Sequence, residues 1–125
     1  MEQLILHLIG DFVTQSDWMA REKIRRTWPA LCHATLYSLP FLLIGTIQAV
    51  FVIWFTHLLI DRFALARYVV FAKNFLGNPW PTWDDCAATG YPSARPPWMA
   101  VWLLIVADNT IHLCCNYAAL RYLTY

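Results

Sequence analysis

The stretch PALCHATLYSLPFLLIGTIQAVFVIWFTHLLI, Pro29–Ile60, runs for 32 residues without one Asp, Glu, Lys or Arg. Runs of 18 or more apolar residues are candidates to cross a membrane. As one helix this run would extend about 48 Å at 1.5 Å per residue, too long for a hydrocarbon core of ~30 Å. Pro40 and the Gly45-Thr46 pair supply a break, so the run reads as two antiparallel helices, about 29–44 and about 47–74. The second is expected to continue past Asp61-Arg62, because Phe63, Leu65, Ala66, Val69, Val70 and Ala72 remain apolar. Outward from there, a first helix covers about 2–22 and a fourth about 97–122, the latter within Pro96–Leu120, whose single charge is Asp108. A loop at 76–97 holds five of the seven Pro and two of the four Gly, with Trp80, Trp83 and Tyr91 inside it and Trp98 just beyond. The fold expected is all-α: one membrane-embedded domain, 1–125, with a bundle of about four helices and a long Pro/Trp-rich loop between the third and fourth.

Composition supports that class. The chain has 125 residues, of which 59% are hydrophobic and 14% charged, where a soluble domain carries about 25% charged residues. High hydrophobicity excludes disorder, and 17 charges are too few to cover the surface of a small soluble domain. A net charge of +1 gives no nucleic-acid footprint. Cys32, Cys86, Cys114 and Cys115 form no C-x-x-C and read as small apolar helix residues. The first apolar stretch, Leu4–Val13, contains His7 and Asp11 and has no basic flank before it, so no secretory signal is expected.

In an up-down bundle Arg21, Lys23, Arg25, Arg26, Arg62, Arg67, Lys73 and Arg95 fall on one side and Arg121 on the other. The excess of positive charge makes the first side cytoplasmic. Trp18, Trp28, Trp80, Trp83 and Trp98 mark the same boundary as an aromatic belt would, and Tyr117, Tyr122 and Tyr125 the opposite one.

All four His lie in expected helices, and three have an Asp four residues away: His7–Asp11, His57–Asp61 and Asp108–His112. Composition alone would give roughly 0.4 such pairs. Residues at i and i+4 share a helix face, and ionisable groups inside a membrane segment are expensive, which makes them functional candidates. Imidazole and carboxylate are ligands for Zn²⁺, Mn²⁺ or Fe²⁺ where no thiolate is present. The expected ligand set is therefore His7, Asp11, His33, His57, Asp61, Asp108 and His112 around a divalent metal, Zn²⁺ first. His33 and Asp11 are the candidate catalytic residues, His33 as ligand or general acid/base. Gln15, Asn109 and Asn116 extend the same polar faces and can orient ligands or substrate. The competing reading of each pair is an internal hydrogen bond that holds two helices together. Asp84-Asp85 reads as a solvated turn, and no P-loop, G-x-G-x-x-G or H-E-x-x-H is present.

The segments HLIGDF (His7–Phe12), QSDWMA (Gln15–Ala20), HATLYSLPFLL (His33–Leu43), THLLIDRF (Thr56–Phe63), GYP…PPW (Gly90–Trp98) and ADNTIHL (Ala107–Leu113) resemble a family of small bacterial and phage membrane proteins of unknown function. The resemblance covers nearly the whole chain. It implies a multi-helix protein of the bacterial inner membrane with motif positions at His7, Asp11, His33, His57, Asp61, Asp108 and His112. It brings no established reaction. The pattern is more loosely similar to membrane-bound metal-dependent hydrolases, which also place His and Asp on successive helices.

Two functions of different class compete. One is a membrane-embedded metal-dependent hydrolase acting on a lipid or lipid-linked phosphate or ester. The other is a non-enzymatic module, holin-like or an accessory subunit, whose His/Asp pairs are interhelix contacts or a structural metal site. Partners expected are membrane lipid and either further copies or a larger membrane complex. Ion or proton transport along the polar faces would require oligomerisation.

Overall fold

The computed structural model describes residues 1–77 and 80–124. Asn78 and Pro79 of the long loop, and Tyr125 among the expected interface tyrosines, lie outside the described residues. Every regular element among the described residues is helical.

The expected first helix is interrupted. α1 (Glu2–Leu8) runs into a π-helical turn at Ile9–Val13, and the chain leaves the helix at Thr14. Ser16, extended at φ −74°, ψ 158°, then accepts from Met19 N and caps α2 (Asp17–Glu22). Ser before Asp is a strong N-terminal signal, because the hydroxyl satisfies a first-turn N–H and the carboxylate faces the positive end of the helix. α3 (Thr27–Ser38) carries Pro29 in its first turn, where a missing N–H leaves no bond unmade. Pro40 then ends the α geometry. It cannot donate to the preceding turn, and the chain tightens into a 3-10 turn at Leu39–Leu43. Thr46 caps α4 (Ile47–Arg62) by accepting from Ala49 N.

The third expected helix is two helices. α4 ends at Arg62, Ala64 takes the left-handed value φ 48°, and α5 (Ala66–Phe75) starts afterwards. Apolar continuity through 63–72 could not signal this, because a left-handed residue ends a helix whatever the hydropathy on either side. The loop that follows contains a short α6 (Trp83–Cys86), and α7 (Pro97–Leu123) closes the chain.

The residues divide into two compact units, 1–63 with 112–125, and 64–111. In the first, Tyr37, Phe41, Val50, Ile53 and Ala119 form the core, with Leu6, Ile44, Val52 and Leu120 packed on it. Ala30, Ala34 and Ala49 are fully buried, and such small residues let helices such as α3 and α4 approach closely. In the second unit Val70, Tyr91 and Ala100 form the core. Gly90 at φ 79° delivers Tyr91 to it while its carbonyl accepts from Asn74 Nδ2 at 2.8 Å. Trp83 stacks on Tyr68 with ring centroids 4.8 Å apart.

Among the described residues one helix, α7, is long and apolar enough to cross a membrane. α4 and α5 meet the same criterion only when taken together as an interrupted pair. The expected all-α class thus holds, with one self-sufficient candidate span among the described residues.

Candidate metal centre

Four elements of the first unit converge on one polar cluster inside an apolar surround. α1 brings His7, the π turn brings Asp11, α3 brings His33 and Tyr37, and α4 brings His57 and Asp61. The last part of α7 adds His112 and Asn116. All four His are buried at 0 or 1% exposure, and Asp61 is at 5%.

The centre is Asp61 Oδ2. It lies 3.1 Å from His33 Nε2 and 3.1 Å from His57 Nε2, and those two nitrogens are 3.0 Å apart. Asp11 Oδ1 closes the group at 3.4 Å from His33 Nε2 and 3.5 Å from His57 Nε2. The other Asp61 oxygen, Oδ1, is 3.3 Å from His112 Nε2. Among the described residues two sets of side chains could hold a metal ion: Asp11, His33 and His57, and His57, Asp61 and His112. Among the described residues no donor meets the buried Asp11 Oδ1, and no partner meets the buried His33 Nδ1 and His57 Nδ1.

Around these atoms lies a second layer. Tyr37 stacks on the His57 ring at a centroid separation of 3.6 Å. Asn116 Nδ2 donates to Tyr37 Oη at 2.6 Å, which leaves the phenol hydrogen for His7 Nδ1 at 2.7 Å. His7 Nδ1 is also 3.5 Å from Asp11 Oδ2. Gly10 permits this packing. A Cβ there would lie 3.0 Å from Tyr37 Cε2 and closer still to Cδ2. The π turn matters as well: its wider turn re-aims the Asp11 carboxylate relative to His7, and such turns recur at functional sites. On one side Lys23 Nζ reaches Asp61 Oδ2 and Gln15 Oε1, each at 2.9 Å.

Six of the seven expected ligands are in this cluster. His33, His57, Asp11, Asp61 and His112 belong to the metal-capable sets, and His7 stands behind Asp11 on Tyr37. Asp108 is half-buried one turn before His112 on α7 and is in neither set. Gln15 and Asn116 hold Lys23 and Tyr37, while Asn109 donates to Ile105 O of its own helix. The sequence reading missed Lys23 and Tyr37. Lys23 follows α2 in a non-helical stretch, so no spacing rule tied it to Asp61, and it was counted among the basic residues that set topology. Tyr37 did carry a signal, since it is four residues after His33 on α3. Burial and the Asp85 carboxylate push the Cys86 thiol up, away from the reactive thiolate.

No curated protein and no solved structure matches the chain. A family match ends at residue 77, short of the whole-chain reach that the motifs suggested, yet it includes His7, Asp11, Lys23, His33, Tyr37, His57 and Asp61. That match, over residues 1–77, is to the family described as protein of unknown function (DUF3307), and the chain belongs to this family.

Proposed function

We propose that the protein is a membrane-embedded, metal-dependent hydrolase whose divalent ion is held by Asp11, His33, His57 and Asp61. The observation that carries this reading is a set of edge lengths. A tetrahedral ion with ligands at about 2.0–2.1 Å has ligand–ligand edges of roughly 3.3 Å. Five of the six edges among Asp11 Oδ1, His33 Nε2, His57 Nε2 and Asp61 Oδ2 measure 3.0 to 3.5 Å. A cation there would also satisfy Asp11 Oδ1, which has no donor. Two nitrogens and two carboxylate oxygens suit Zn²⁺, with Mn²⁺ and Fe²⁺ as the neighbouring choices.

A bound ion of this kind lowers the pKa of water and polarises an ester or phosphoryl oxygen. The chain's own part is to orient and to admit. His112 holds Asp61 through Oδ1, and Tyr37 fixes the plane of the His57 ring. Four protein ligands close a tetrahedral ion, and hydrolysis needs one position for water. Asp11, with its side chain 11% exposed, is the most accessible of the four and is the ligand that would yield it. Its second oxygen, backed by His7, is the candidate proton acceptor, with His33 beside it. Lipid as the surrounding solvent is supported by outward-facing apolar side chains on α4 and α7: Phe51 is 61% exposed, Trp102 63% and Val106 58%. With the basic residues facing the cytoplasm, the setting would be the bacterial inner membrane and the substrate a lipid or lipid-linked phosphate or ester.

One observation favours the non-enzymatic reading. Lys23 already pairs with Asp61 Oδ2, so the cluster has a resident cation and can act as interhelix glue. Metal analysis of the purified protein separates the two. Bound transition metal near one per chain, lost in His57→Ala together with hydrolytic activity, supports the enzyme. Wild type without metal, or His57→Ala with full activity, defeats it.

A further inference from the structure

Charge balance at the cluster points to the class of molecule it receives. Asp11 and Asp61 balance a divalent ion, and His33 and His57 bind as neutral imidazoles. The Lys23 ammonium, with its side chain only 18% exposed and 2.9 Å from Asp61 Oδ2, then leaves one positive charge over. A net charge in a low-dielectric site is unfavourable unless a counterion joins it. The loaded centre therefore calls for a singly charged anion.

The sequence neighbours of Lys23 say which. It follows directly on α2 and is not itself in the lining, but Trp18, Arg21 and Glu22 of α2 line an open cleft of about 590 Å³ together with Arg25 and Arg26. That volume is in the range of small-molecule sites. Arg21 pairs with Asp17 and Arg26 with Glu22, whereas Arg25 has no ion pair among the described residues. A guanidinium fork fits phosphate oxygens. Large apolar side chains are exposed on the chain before and after α2: Phe12 at 61% and Val13 at 76% in the π turn, and Ile24 at 49% and Trp28 at 68% beyond it. Basic groups next to exposed apolar side chains fit a molecule with an anionic head and acyl chains.

We infer that the metal centre receives a phosphodiester, the headgroup of an anionic phospholipid, with Lys23 and Arg25 as its binding residues. This rests on the metal reading above. Lys23 moves from Asp61 to a phosphate oxygen when the ion takes its place on the carboxylate, and Arg25 holds the headgroup from the cleft.

The test uses the full chain in detergent, loaded with Zn²⁺. Short-chain phosphatidylglycerol is titrated in, and inorganic phosphate in parallel, with metal content measured on the same samples. Lys23→Gln should keep its metal and lose about tenfold in lipid affinity, the worth of one charge-assisted hydrogen bond. Lys23→Arg, which keeps the charge, should restore most of it, and Arg25→Gln should weaken binding with the metal in place. Stripping the metal from wild type should weaken lipid binding as well. The inference is overturned if Lys23→Gln binds lipid as wild type does, if metal removal leaves lipid affinity unchanged, or if inorganic phosphate binds more tightly than the lipid. Each of those results leaves a measured metal content standing, so the metal reading survives them. Wild type without metal defeats both.

Discussion

His33 Nε2 and His57 Nε2 stand 3.0 Å apart, and both face the same oxygen of Asp61 at 3.1 Å. Each placement of protons on three atoms so arranged leaves one unfavourable contact. If both nitrogens carry hydrogen they repel each other, and if one does, the other is an acceptor facing a carboxylate. A cation at the centre resolves the conflict, because all three then act as donors of electron pairs to it. Removing either ring should accordingly remove the ion. His33→Ala and His57→Ala are each expected to lower metal affinity by more than the roughly 10–100-fold that loss of an outer partner costs. Metal content after gel filtration, with far-ultraviolet circular dichroism to check folding, measures it.

The outer partners of these rings are themselves sparse. A metal-bound histidine usually donates its other N–H to a carboxylate, carbonyl or water, but His33 Nδ1 and His57 Nδ1 are buried without a partner. Lacking that support, the centre should exchange its ion rather than trap it. Treatment with a chelator at room temperature is expected to strip the metal without denaturing the protein. The thermal midpoint should fall and then recover on adding the metal back. A site occupied at a hundredfold over its dissociation constant stabilises by about 2.7 kcal/mol. Scanning the stripped and reloaded protein in the same detergent reads the shift.

Much of the site was legible because helical spacing is local. His7–Asp11 and His57–Asp61 stand at i,i+4, and in both pairs a ring nitrogen meets the carboxylate, at 3.5 and 3.1 Å. That the pairs share one cluster is a matter of packing, and no spacing rule carries it. The fold was legible as all-helical for the same local reason, and its breaks were not. Pro40 announced the end of α3, but the π turn at Ile9–Val13 and the left-handed Ala64 leave no mark in hydrophobic periodicity. Both depend on tertiary contacts, as the Gly10–Tyr37 approach illustrates.

Tyr37 gives a way to weaken the second layer without touching a ligand. Tyr37→Phe keeps the stack on His57 and deletes the hydroxyl between Asn116 and His7. Asn116 Nδ2 loses its acceptor and His7 Nδ1 its donor, both in buried positions, at a cost of about 1–3 kcal/mol for each group that stays unsatisfied. The expected result is a lower thermal midpoint with metal stoichiometry retained. Full loss of metal in this variant would show that His57 depends on the hydroxyl for its position.

Gly10→Ala probes the same contact from the other side. The added methyl meets the Tyr37 ring, and overpacking of this kind costs typically about 1–3 kcal/mol. The Tyr37 ring is stacked on His57, so a shift of the ring disturbs that ligand, and Gly10→Ala should lower both stability and metal affinity, where Tyr37→Phe lowers stability alone. Metal titration of the two variants side by side makes the comparison.

The three His–Asp pairs look alike in sequence, and the structure separates them. Asp61 meets His33, His57, His112 and Lys23, so it is the carboxylate on which the cluster turns. Asp108 is in neither metal-capable set, although it is as close in sequence to His112 as Asp61 is to His57. Asn is nearly isosteric with Asp but carries no charge and is a poor metal ligand. Asp61→Asn leaves Lys23, with its 18% exposed side chain, facing an uncharged partner and takes one of two negative charges from the centre. It should abolish metal binding and lower the thermal midpoint, since breaking one side of a buried ion pair costs about 3–5 kcal/mol and this one is partly exposed, which places it at or below the lower end. Asp108→Asn should keep metal content at the wild-type level. Equal loss of metal in the two variants would return Asp108 to the ligand set that the sequence spacing suggested, and retention in both would remove Asp61 from it.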